Sequence, residues 1–94
     1  MKEINVKDIL EICEGELLVG SKETVLENFK KDTREVENGD VYVGIKGENF
    51  NGSDFFEKAF EAGANACIVQ DIEISEKTLE KYKDKIIIKV KDCI

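Results

Sequence analysis

The residues best suited to chemistry lie between positions 32 and 52, in the stretch DTREVENGDVYVGIKGENFNG. Thr33 and Arg34 end an extended segment, where a hydroxyl and a guanidinium can both donate hydrogen bonds to phosphate. Lys46 offers a second cation. The small and polar residues 47–52 form a loop leading into a helix, and backbone N–H groups in such a loop suit an anion. Together these features describe a binding site. Each residue also has a local use that needs no ligand. Asp32 and Arg34 can tie down a turn, Lys46 can be a solvated strand end, and Phe50 can staple the entry of a helix instead of stacking on a base.

Other chemistry is limited by composition. There is no histidine and no CxxC pair, which removes zinc sites of the usual donor sets and His-dependent triads. The GxxxxGK[ST] loop for a triphosphate is absent, and glycines 44, 47 and 52 do not make GxGxxG. Cys13, Cys67 and Cys93 are odd in number, far apart and set among apolar residues, so all three are expected as reduced, buried thiols. A net charge of −7 argues against nucleic acid or an anionic membrane as partner. It does not exclude a small anion, because screening over about 8–10 Å lets a local basic cluster act alone. No apolar run approaches the roughly 20 residues of a membrane span, and MKEINVKD lacks a signal-peptide stretch. A cytoplasmic protein with no membrane insertion is expected.

The elements that would position the site follow from periodicity. Asn5 can cap a helix with Val6, Ile9, Leu10 and Cys13 on one face, stopped by Gly15. A short strand over 16–19, a polar turn over 20–24 and an extended segment over 25–29 come next. Asn38-Gly39 turns the chain into a strand over 40–45, with Val41, Val43 and Ile45 on a core face and Tyr42, Gly44 and Lys46 on a face open to a ligand. Asn51 then caps a helix to about Ala62, with Phe55, Phe56, Ala59, Phe60 and Ala62 as its stripe and Gly63 as its terminator. Buried strands over 66–69 and 86–90 flank a mostly solvated helix over 76–82 opened by Ser75. The expected fold class is α/β, one domain with a small mixed or mostly parallel sheet of about four to five strands and packing helices. The ending at Ile94, with no turn or polar tail, suggests a piece of a longer chain.

From Asp32 to about Gln70 the order of motifs resembles the N-terminal domain of the Mur ligases, ATP-dependent amide-forming enzymes that build the peptidoglycan stem peptide. The carrying features are DTR, Gly39-Asp40 and its strand, Lys46-Gly47, Asn51-Gly52, an amphipathic helix, Gly63-Ala64 and a buried strand. Within that family, GENFNGSDF and the opening helix followed by GELL resemble the branch adding D-alanyl-D-alanine, with the branch adding a diamino acid second. The resemblance implies a domain without catalytic residues that binds the UDP end of UDP-N-acetylmuramoyl-tripeptide. ATP, Mg2+ and acyl-phosphate formation would belong to a central domain, and the incoming substrate to a C-terminal one, so these 94 residues alone would be inactive.

Position by position, the resemblance places a uridine-contacting hydroxyl on Thr33, a second contact on Lys31 and a nucleotide-contacting loop on Glu48, Asn49 and Phe50. Arg34, Lys46, Gly47 and Asn51 match the surrounding motif. Where many relatives have His, this chain has Ser53, and a phosphate role there does not carry over. The residues by themselves leave another class open, a protein-interaction module docking through its loop or strand edge. Sequencing downstream separates the two: the ligase reading expects the frame to continue past Ile94 into a GTxGKT-type segment, and an immediate stop would count against it.

Overall fold

Three runs, VYV, ACIVQ and IIIKV, are rich in β-branched side chains and apolar on both faces, as suits strands covered from both sides. The computed structural model, which describes residues 4–44, 55–70 and 72–91, places them side by side. In chain order the elements are β1 (Ile4–Asn5), α1 (Val6–Ile12), β2 (Glu16–Val19), β3 (Val25–Leu26), β4 (Phe29–Lys30), a 3₁₀ turn (Thr33–Glu35), β5 (Val41–Val43), α2 (Phe56–Glu61), β6 (Ala66–Gln70), α3 (Glu76–Lys81) and β7 (Ile86–Val90). Five strands form one sheet in the order β2-β7-β6-β5-β4. β4, β5, β6 and β7 are parallel, and β2 closes one edge antiparallel to β7. The α/β class and the mostly parallel sheet are as the sequence indicated. β1 and β3 pair antiparallel in a separate ribbon.

Strand alternation divides the interior in two. Val41, Ala66 and Ile86 stand in register on one face and join Ile68, Ile88 and Val90. That face is covered by Val6, Ile9 and Cys13 from α1 and its C-terminal end, and by Leu26 of the ribbon. Tyr42, Cys67 and Ile87 form the neighbouring row on the opposite face, against Phe56, Ala59 and Phe60 of α2 and Tyr82 after α3. There the Phe60 and Tyr82 rings stack at 4.5 Å, and Phe56 meets both edge-on.

Several local expectations change. The left-handed residue after α1 is Glu14 (φ 50°), not Gly15, and Gly15 N–H donates back to the Leu10 carbonyl as in a Schellman ending. Gly15 serves close packing instead: a Cβ there would lie 3.2 Å from both Ile88 and Val90. The extended segment over 25–29 is really two strands, because Asn28 (φ 61°) turns the chain out of the ribbon and into the main sheet. α2 is bounded at its start by Phe55, and the cap expected at Asn51 lies outside the described residues. Its buried stripe narrows to Phe56, Ala59 and Phe60, with Phe55 37% exposed. Cys13 is disulfide-bonded, which corrects the expectation of three reduced thiols. Spacing along the chain carried no information on which thiols the fold brings together. Cys67 is a free thiol buried in the sheet, and burial pushes its pKa far up.

Gly63 behaves as expected, at φ 113° after α2. A Cβ there would also sit 2.9 Å from the Asn38 backbone, since Gly39 N–H donates to the Gly63 carbonyl at 2.8 Å. Gly63→Ala should therefore destabilise the fold by more than about 1 kcal/mol, measured by urea unfolding. Wild-type stability in that variant would refute the account.

Candidate functional site

β4 and β5 are parallel, so the chain must cross back over residues 31–40, and it does so without a full helix. Two residues at the ends of this crossover hold it. Lys30 Nζ donates to Asp40 Oδ2 at 2.9 Å and also reaches the Glu35 carbonyl at 3.4 Å. Asp40, buried at 4% exposure, accepts a second bond from Glu37 N–H at 2.8 Å, and its own carbonyl accepts from Asn65 N–H. The Lys30 side chain, and then Glu37 N–H, hold the Asp40 carboxyl below the usual carboxylate range; the same partner raises Lys30. Val36 packs the middle of the crossover onto the α2 side of the sheet.

The 3₁₀ turn carrying Thr33 and Arg34 sits on this frame. Asp32 caps it, accepting from Arg34 N–H at 2.9 Å. The Arg34 side chain folds back on the same carboxylate, with Nε 3.1 Å from both oxygens and Nη2 2.7 Å from Oδ2. The turn-tying use of this pair is thus realised. The guanidinium, and then the backbone bond, lower the Asp32 pKa from 3.8 to about 2. A carboxyl depressed on folding contributes stability above its unfolded pKa of about 4 and loses that contribution as pH falls through the folded value. Because the Arg34 side chain is 86% exposed, solvent keeps the pair weak energetically, and its main effect is to fix the turn's shape.

Beside the turn, at the C-terminal ends of β4 and β5, lies a cavity of about 500 Å³ lined by Lys31, Asp32, Thr33, Arg34, Tyr42, Phe55 and Lys58. Open α/β sheets commonly bind ligands outside the carboxyl ends of their strands. The structure brings Lys31, Thr33 and Arg34 together, three of the residues the sequence singled out. Lys46, Gly47, Glu48, Asn49, Phe50 and Asn51, like Ser53, lie outside the described residues. Three lining residues were missed. Tyr42 was expected on a face of its strand open to a ligand; that face is instead covered by α2, which leaves Tyr42 2% exposed, and desolvation raises its pKa. Phe55 was assigned to the helix stripe, and Lys58 stood unremarked although it follows Phe55 by one helical turn. Lys58 Nζ lies 5.5 Å from the centre of the Phe55 ring. Cations, a hydroxyl and the exposed Phe55 ring around one opening suit a flat, anionic ligand. Among the described residues, no acidic cluster is arranged to hold a metal ion and no helix is long and apolar enough to cross a membrane.

Comparison with known proteins fits this architecture. A profile described as "Mur ligase family, catalytic domain" matches residues 27–93, and the chain belongs to the Mur ligase family. It is 34% identical over 88 residues to the UDP-N-acetylmuramoyl-L-alanyl-D-glutamate--2,6-diaminopimelate ligase of Clostridium perfringens, covering 93% of this chain and 17% of that enzyme. It is 41% identical over 64 residues to the UDP-N-acetylmuramoyl-tripeptide--D-alanyl-D-alanine ligase of Bacillus subtilis, covering 67% of this chain and 14% of that one. The chain thus spans less than a fifth of the length of these relatives. A crystal structure of MurF from Acinetobacter baumannii shares the fold, with a TM-score of 0.73 at 18% identity over 98% of this chain and 19% of that one.

The Asp32 fork makes a direct prediction. Carboxyl resonances followed by NMR against pH should give Asp32 a midpoint near 2, and Arg34→Ala should move it up toward 3.8. An unchanged midpoint in the variant would show that the guanidinium is not its cause.

Proposed function

We propose that this chain is the substrate-recognition domain at the N-terminus of a peptidoglycan-precursor ligase, and that its cavity holds the UDP end of a UDP-N-acetylmuramoyl-peptide. The observation that carries this reading is the convergence of Lys31, Thr33 and Arg34 with the exposed Phe55 ring around one opening. Thr33 offers a hydroxyl to the nucleotide's polar edge, Lys31 a cation to its phosphates, and the exposed Phe55 ring a surface for the base. Arg34 shapes the turn through Asp32 and presents the rest of its exposed guanidinium to the opening. The residues described do not fit ATP with Mg2+: the triphosphate loop is absent from the sequence, and the described acidic residues form no metal cluster. In this reading, activation of the peptide carboxylate belongs to other segments of the parent enzyme. Binding energy gathered at the nucleotide would hold that distant carboxylate in place, which is orientation supplied from a remote handle. The setting of such an enzyme is the cytoplasm.

For the parent enzyme, addition of D-alanyl-D-alanine through an acyl phosphate is the reading favoured by the GENFNGSDF wording and the 41% identity to the Bacillus subtilis ligase. A second reading, addition of a diamino acid, is favoured by the longer reach of the Clostridium perfringens match, 93% of this chain against 67%.

Titration with UDP, followed by amide shifts, should perturb Lys31, Thr33, Tyr42 and Phe55. Thr33→Val should weaken binding about five-fold, the loss of roughly one ordinary hydrogen bond. Shifts confined to parts of the chain remote from this cavity would overturn the assignment.

A further inference from the structure

Resting on the reading of this cavity as a nucleotide site, we propose that Lys58 is a specificity-determining residue for it. In this proposal Lys58 leaves the face of Phe55 when ligand binds and pairs with the diphosphate, clearing that ring face for the base. The cavity walls carry three cations, Lys31, Arg34 and Lys58, against one carboxylate, Asp32. Asp32 is already committed to Arg34 through both of its oxygens, so that pair is neutral as a unit. The cavity's net positive charge therefore resides on the two lysines.

The lysines are carried by different elements: Lys31 follows β4, and Lys58 belongs to α2, whose buried residues Phe56, Ala59 and Phe60 fix it to the sheet. Among the described residues, the contact recorded for Lys58 is with the Phe55 ring, its Nζ 5.5 Å from the ring centre. A cation over an exposed phenyl ring is weakly held, whereas a charge-assisted bond to phosphate is stronger, so a diphosphate entering the cavity can draw Lys58 away. Phe55, 37% exposed, then offers the vacated face to a planar base. One lysine thus couples recognition of charge to recognition of the ring. Sequence reading gave Lys58 no role, and α2 was noted only for its apolar stripe.

The test compares UDP with uridine on the 94-residue chain, in the wild type, Lys58→Gln and Lys58→Arg, by calorimetry with amide shifts as a fold check. Lys58 is exposed, so neither variant should disturb folding. Lys58→Gln should weaken UDP about five-fold, leave uridine within about two-fold and flatten the salt dependence of UDP binding, while Lys58→Arg should keep most of the affinity. Equal losses for UDP and uridine, or no loss for either, would overturn the role of Lys58 and leave the cavity's nucleotide reading intact. Failure of UDP to shift Lys31, Thr33, Tyr42 or Phe55 in the wild type would overturn that reading and the role of Lys58 together.

Discussion

The contact on which the site depends is the ion pair between Lys30 and Asp40, ten residues apart at the two ends of one crossover. Parallel strands oblige the chain to travel back the length of the sheet, and the usual solution is a helix that buries its own backbone groups. Here the return path is too short for one. Its shape comes from a buried carboxylate that takes bonds from a lysine and from a backbone N–H, while the same lysine caps a carbonyl within the crossover. An exposed turn built on Asp32 and Arg34 alone would be fixed only locally. Anchored through residues 30, 35, 37 and 40, it keeps Thr33 beside the cavity.

That frame explains how a strongly acidic chain can carry a cavity lined by more cations than carboxylates. Asp32, the carboxylate that lines the opening, is neutralised by Arg34, and Asp40 in the crossover by Lys30. What remains facing the cavity is lysine and ring surface. Charges elsewhere on the molecule act across solvent and are damped over about 8–10 Å.

Much of this was legible in the sequence, for reasons that differ from element to element. β6 and β7 were readable because apolar runs of that length need cover on both faces, β5 because an Asn-Gly turn opens a run of alternating Val residues, and α3 because Ser75 caps it as its position suggested. Thr33 and Arg34 drew notice because they combine donors at a chain reversal, and both line the candidate cavity. The Lys30–Asp40 pair was not, since nothing in a linear string marks two residues ten apart as partners. Glu14 in a left-handed conformation was missed because a glycine beside it offered the easier explanation, yet that glycine was needed for contact with Ile88 and Val90. The disulfide at Cys13 was missed for a similar reason: proximity belongs to the fold and not to the spacing. Lys58 was overlooked because a lysine on the wet side of a helix is ordinary until its neighbours are known.

The division of the apolar interior by the sheet has an evolutionary consequence. Val41, Ala66 and Ile86 answer to α1 and the ribbon, while Tyr42, Cys67 and Ile87 answer to the side covered by α2. A lineage can therefore rebuild the α1 layer by compensating substitutions while the opposite layer stays under a separate selective constraint. Drift on one side and conservatism on the other is the pattern such a partition favours, with the sheet as a firewall between them.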